Sequence, residues 1–200
     1  MPRNYFMTTA RLGFSRWEET DLPLARQLWG EEAVSRYICA AGRFTEEDIE
    51  ARLKKEIENG SAFGIQYWPV FLRETGELAG CCGLRPYREG QPEFGIHLRE
   101  KFWHRGLAGE AGNAVIGLAL GDEERMLKAG AKIDPSFWED GVPDASCLTK
   151  PLAGSLFAGH NPCNKASRKL LTGLAFVYLR DEFYAPTGLY HPSYELKKTE

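Results

Sequence analysis

The stretch Phe102-Trp103-His104-Arg105-Gly106-Leu107-Ala108-Gly109-Glu110-Ala111 stands between two segments of different period. Upstream, Glu93 to Arg99 alternates: Phe94, Ile96 and Leu98 fall on one side, and Glu93, Gly95, His97 and Arg99 on the other, as in a half-buried strand. Downstream, Ala108, Ala111, Val115 and Leu118 recur at helical spacing. A strand that passes through a short turn into a helix leaves backbone N–H groups unpaired, and the helix dipole adds positive potential there. Gly106 and Gly109 put no Cβ in the way of a ligand. The stretch therefore reads either as a phosphate or pyrophosphate site or as an ordinary strand-to-helix turn. It is not a dinucleotide fingerprint, since G-x-G-x-x-G is absent, nor a Walker loop, since G-K-[ST] is missing.

Working outward, Arg11 to Trp17 reads as a first strand, and Thr20 or Asp21 caps a helix carrying Leu24, Leu28 and Trp29 that stops at Gly30. Glu31 to Gly42 is ambiguous between a short helix and a loop. Thr45 with an acidic first turn opens a helix whose apolar residues are Ile49, Leu53 and Ile57, with Gly60 as its stop. Ala62 to Leu72 and Leu78 to Arg85 read as strands joined by the turn Glu74-Thr75-Gly76-Glu77, and with Glu93 to Arg99 they form an antiparallel meander. Pro69 cannot donate a ladder bond, so it predicts a sheet edge or a bulge. The helix from Gly106 reaches Leu120 or Leu127. Residues 129–154, with Pro135, Pro143 and Pro151, keep no period and read as an irregular insertion that Phe137 and Trp138 could anchor. Ser155 to His160 is a strand, Lys165 to Gly173 a helix, and Ala175 to Phe183 and Tyr190 to Leu196 are final strands. The order β-α-α-β-β-β-α-β-α-β-β is mixed α+β around one sheet.

Composition narrows the function. Two hundred residues, 43% hydrophobic and 26% charged, suit a single domain with its own core. A net charge of −3 gives no field favouring nucleic acid or an anionic membrane. Cys39, Cys81, Cys82, Cys147 and Cys163 form no C-x-x-C pair and no zinc spacing, so no metal is expected and a reduced, cytoplasmic setting is. Cys81 and Cys82, adjacent in a strand, should face opposite ways. Met1 to Ala10 lacks the apolar core of a signal peptide, and no run approaches the ~18 apolar residues of a membrane span.

Two blocks in order resemble the GCN5-related N-acetyltransferases, in particular their RimJ/RimL-like branch. The first is Glu93-Phe94-Gly95-Ile96-His97-Leu98 with Trp103 to Ala111. The second is Ala158-Gly159-His160-Asn161-Pro162-Cys163-Asn164-Lys165-Ala166-Ser167 with Gly173-Leu174-Ala175-Phe176. The tail Asp181 to Tyr194 is similar to one subgroup of that branch. The resemblance covers residues 9–197 apart from the insertion. It implies a mostly antiparallel twisted sheet in which Glu93–Arg99 and Ser155–His160 splay apart, flanked by helices. It also implies acetyl-CoA as co-substrate, with pyrophosphate on the backbone of His104, Arg105, Gly106, Leu107, Ala108, Gly109 and Glu110. Pantetheine would run beside Ile96, His97 and Leu98, and Asn164 would bond the cofactor, although it also reads as a plain N-cap. The sequence departs from the family where Trp103 replaces an Arg or Gln and where Gly159 and Leu171 replace an acid/base pair of another branch.

Acetyl transfer from a thioester to an amine needs a base, an oxyanion donor and a proton for the thiolate. Glu93 is the foremost candidate base, directly or through water, with His97 and Glu182 as alternatives; a backbone N–H, that of Leu98, could serve the oxyanion. Ser167 matches the serine proposed as acid in the resembled branch. Cys163 has nothing beside it in sequence to lower its pKa, which argues against a covalent role. Tyr184, Tyr190 and His191, with Tyr194, could line the acceptor groove or simply pack. The implied function is acetyl transfer to a primary amine, on a protein N-terminus or a small molecule, by a monomer or homodimer. The alternative is a catalytically inactive acyl-CoA-binding or interaction protein of the same fold.

Overall fold

The computed structural model describes residues 3–134, 136 and 152–198. Phe137, Trp138 and the rest of residues 137–151, where the sequence predicts an irregular insertion, lie outside the described residues.

The described chain builds one sheet of nine strands in the order β6-β1-β2-β3-β4-β5-β7-β9-β8. These are β1 (Met7–Thr8), β2 (Leu12–Phe14), β3 (Tyr67–Leu72), β4 (Leu78–Arg88), β5 (Gln91–Leu98), β6 (Lys132–Ile133), β7 (Ser155–Gly159), β8 (Val177–Tyr184) and β9 (Leu189–Lys197). Every neighbouring pair is antiparallel except β5 and β7, which run parallel and meet at a single register pair, Glu93 with Phe157. Beyond that pair the two strands part.

The helices are α1 (Leu22–Trp29), α2 (Glu32–Ser35), α3 (Glu46–Phe63), α4 (Leu107–Leu120), α5 (Glu123–Ala129) and α6 (Lys165–Gly173). They divide the interior into two cores. One packs α4 and α6 against Phe94, Leu98, Leu84 and Cys82; the other packs α1 and α3 against Tyr67, Leu78 and Cys81. Cys81 and Cys82 thus face opposite ways, as the strand period predicts.

Several boundaries differ from the sequence reading, each for a local reason. Helix α3 runs through Gly60 to Phe63 and ends at Gly64, whose φ of 70° supplies the left-handed cap. Gly60 is small because Gln66 fills the place a Cβ would take, and Gln66 Oε1 accepts the Trp17 amide at 2.9 Å. Ala62 and Phe63 are therefore helical, and β3 begins only at Tyr67. Pro69 is not at a sheet edge, since β3 lies between β2 and β4. The ladder register shifts one residue later, between Val70 and Phe71, which is the bulge Pro69 predicts. Helix α4 stops at Gly121 (φ 64°), and α5 folds back so that Met126 packs on Gly117. Ala129 belongs to α5 and is buried, and Lys132–Ile133 pairs with β1, so the irregular stretch begins later than the sequence suggests. The first strand is shorter than Arg11–Trp17 and is preceded by β1.

Candidate active site

The turn that opens the sequence argument has a defined geometry. After β5, Trp103 anchors the chain by donating its indole N–H to the Leu98 carbonyl at 2.7 Å. His104 (φ 58°) and Gly106 (φ 76°) then take left-handed conformations on either side of Arg105. For histidine this conformation is unusual, and it turns the chain sharply into α4. No side chain caps α4 at Gly106, so its first N–H groups face outward with the positive end of the dipole. A Cβ at Gly109 would meet nothing within 4 Å, which leaves an open, side-chain-free approach. Exposed backbone N–H groups at a helix start are a geometry that can receive an anion.

Glu110 behaves differently from its neighbours in that turn. Its amide bonds the Gly106 carbonyl at 3.2 Å, and its carboxylate accepts from Thr9 Oγ1 (2.6 Å), the Arg11 amide (2.8 Å) and Arg11 Nε (2.7 Å). Arg11 Nη1 also donates to the Arg105 carbonyl at 2.9 Å. Glu110 therefore clamps the turn to the β1–β2 connection, with no group free for an anion. Arg11, which the sequence places only at the start of a strand, holds the other side of the clamp.

A cavity of about 630 Å³ opens where β5 and β7 part. Gly95, Ile96 and His97 line one wall, and Ala158, Gly159 and His160 the other. Asn164 and Ser167 reach it from α6, and Tyr184 and His191 from the last hairpin. Asn164 is both the N-cap of α6, accepting the Ser167 amide at 3.0 Å, and a cavity residue. The Ser167 hydroxyl bonds no protein group among the described residues. Tyr190 is not in the cavity. Residues alternate along β9, so His191 and Ser193 face the cavity while Tyr190, 64% exposed, packs on Phe183. Of the tail residues proposed for an acceptor groove, Tyr184 and His191 thus line the cavity and Tyr190 does not.

Glu93 lies in the cavity beside Tyr67, Arg85 and Arg52. Burial raises its pKa, and the charges of Arg85 and Arg52 pull only partly the other way. The other proposed bases have different surroundings. His97 is half-buried on the cavity wall, and its pKa is driven well below the usual value by loss of solvent and then by the Arg52 and Arg85 charges. Its Nδ1 accepts from the Trp29 indole at 3.4 Å and lies 3.4 Å from Cys81 Sγ. Glu182 is held low, first by the hydrogen bond from Ser193 Oγ (2.5 Å) and then by Arg180. Of the three, only Glu93 combines the cavity with a raised proton affinity.

Below Glu93 is a charged layer that the sequence reading missed. Glu56 on α3 is fully buried; its Oε1 accepts from Arg85, at 2.9 Å from Nε and closer still from Nη2, and its Oε2 accepts the Tyr67 amide at 2.9 Å. Burial works against the Arg85 charge, but Glu56 and Tyr67 outweigh it and its pKa is raised. Gly95 has no Cβ because the Tyr67 ring occupies that space beside Glu93. A signal for this layer was present: Ile49, Arg52, Leu53 and Glu56 fall at i, i+3, i+4 and i+7, so two charges sit within the buried stripe of α3.

Among the described residues no group of three or more His, Cys, Asp or Glu side chains is placed to hold a metal, and no helix is long and apolar enough to cross a membrane.

The acetyltransferase (GNAT) domain family matches residues 11–177. The chain is 25% identical over 130 residues to an uncharacterized N-acetyltransferase p20 of Bacillus licheniformis, covering 64% of this chain and 72% of that protein. A solved GNAT-family acetyltransferase from Bacillus anthracis superposes with a TM-score of 0.69 at 18% identity, over 98% of this chain and 99% of that one. The RimL alpha-N-protein acetyltransferase in complex with coenzyme A superposes at 0.66 with 12% identity, over 94% and 95%. A spermidine N-acetyltransferase from Vibrio cholerae superposes at 0.60 with 15% identity, over 94% and 95%. With the family match running from β2 to the start of β8, the chain belongs to the GNAT acetyltransferase domain family.

Proposed function

We propose that this protein transfers an acetyl group from acetyl-CoA to a primary amine, with Glu93 as the base. The observation that carries the reading is Glu93 itself: a carboxylate of raised pKa on the wall of the cavity between the parted strands. Acetyl-CoA would supply an acyl group activated as a thioester. The side-chain-free start of α4, with Gly106 left-handed and Gly109 open, fits a pyrophosphate held on the amides of Leu107, Ala108 and Gly109. Past Glu93 the β5 edge no longer pairs with β7, so Ile96, His97 and Leu98 can lie along an extended pantetheine arm. Asn164 borders the same channel.

Each remaining group has one task. An ammonium is not a nucleophile, so the acceptor must lose a proton, and a carboxylate with raised proton affinity takes it better than an ordinary one. Ser167 presents a hydroxyl proton to the cavity and is the candidate acid. Tyr184 and His191 border the acceptor entrance. The amine could be small, as for the spermidine enzyme, or a protein N-terminus, as for RimL.

The test is calorimetric titration with acetyl-CoA, then thiol release against small amines and N-terminal peptides. The reading predicts saturable binding and release stimulated by one acceptor class. Binding with no release for any amine would instead mark an acyl-CoA-binding protein, and absence of binding would sink the assignment of the α4 turn.

A further inference from the structure

Arg52 is the anomaly of the cavity. Buried charges are normally paired, because removing an ion from water costs several kcal/mol that a partner must offset. Arg85 obeys this rule through Glu56, and both Glu56 oxygens are committed, to Arg85 and to the Tyr67 amide. Arg52, one turn earlier on α3, has no ion pair and no hydrogen bond among the described residues, and its Nε is buried without a partner. What holds it is aromatic: the guanidinium lies over the Trp29 ring at 5.1 Å and the Phe44 ring at 5.2 Å. Burial and then the neighbouring Arg85 charge lower its pKa, with the Glu56 charge acting against them. The side chain lines the same cavity as Glu93.

From this we infer that the acceptor amine carries a carboxylate, which Arg52 binds while the amine is presented to Glu93. The inference rests on the reading of Glu93 as the base and adds the substrate class. A planar guanidinium with unused donors, held against the Trp29 and Phe44 rings, is suited to a carboxylate. Among the described residues the cavity offers a cation with no ion pair, Arg52, and a carboxylate of raised proton affinity, Glu93, which together complement an amine and an acid on the same molecule. That chemistry has two sources: a free amino acid, or a peptide whose first residue is acidic.

The experiment compares paired acceptors with and without the charge. The common amino acids are assayed against their carboxamides, and peptides beginning with Asp or Glu against those beginning with Asn or Gln, by thiol release at saturating acetyl-CoA. At least one carboxylate should exceed its amide by about 10- to 100-fold in kcat/KM, because a buried cation left unmatched discriminates strongly. Preference among amino acids marks the free source; preference confined to peptides marks the N-terminal one. In Arg52→Met the preferred ratio should fall toward one, and Arg52→Lys should restore part of it. Equal or faster turnover of the uncharged partners in the native protein overturns the inference while leaving the acetyltransferase reading intact. A separate arm needs no turnover: calorimetry of the same acids into protein saturated with coenzyme A. Heat of binding for an acid and not its amide supports the Arg52 site even if no amine is acetylated, and no difference overturns it.

Discussion

The two faces of the β4–β5 hairpin are made from neighbouring residues and do opposite work. On one face Leu84, Phe94 and Leu98 join Cys82 beneath α4 in a cluster of buried hydrophobic side chains. On the other face Arg85, Glu93 and His97 stand beside Cys81 above Tyr67 and the α3 residues Arg52 and Glu56. The cysteines report the contrast. Burial raises both thiols, Cys82 well above its ordinary value and Cys81 to about 12, where Glu56 adds to the rise and the Arg52 and Arg85 charges oppose it. A strand period of two therefore separates stability from chemistry within a single hairpin.

Substitutions can break that division. Glu56→Ala should have the largest effect on stability, because it takes the ion-pair partner from the largely buried Arg85 and the acceptor from the Tyr67 amide; a loss of about 3–5 kcal/mol is expected in denaturant titrations. On the apolar face, Leu84→Ala removes a side chain with no exposed surface and should cost about 2–5 kcal/mol. Where the variant remains folded, its kcat should stay near that of the native protein, since Leu84 touches only the core beneath α4. Gly95→Ala should cost about 1–3 kcal/mol, because the new methyl meets the Tyr67 ring. Unlike Leu84→Ala, it should also lower kcat, since the ring it displaces adjoins Glu93. Equal activity losses in Leu84→Ala and Gly95→Ala would contradict the separation of the faces.

The sequence showed one of these faces more clearly than the other. The α4 turn and its flanking strand are local: their period, glycines and order lie within twenty residues, and α6 spans Lys165–Gly173 as its capping signal predicts. The charged layer is non-local. Arg52, Glu56, Tyr67 and Arg85 come from three elements, and no local pattern says that they meet. Arg52 and Glu56 fall within the stripe of Ile49 and Leu53, but charges on an acid-rich helix read as a solvated face unless that register is counted. Tyr190 lies outside the cavity lining for the complementary reason. An aromatic tail suggests a groove, while the strand period alone decides which of its residues face inward, and that needed the β9 register. Glu110 likewise lies in the α4 turn, and only the distant Thr9 and Arg11 reveal that its side chain is a clamp.

The measurement closest to the central claim is the pH dependence of kcat/KM for native protein and Glu93→Gln. Glu93 must be ionised to accept a proton, and burial raises its pKa from the ordinary 4.5, so activity should fall as pH drops through that raised value. In Glu93→Gln the acid limb should disappear, with kcat lower by about 100-fold or more, the range expected for loss of a general base. An acid limb that survives unchanged in Glu93→Gln, at near-native rate, would contradict the account and place the base elsewhere.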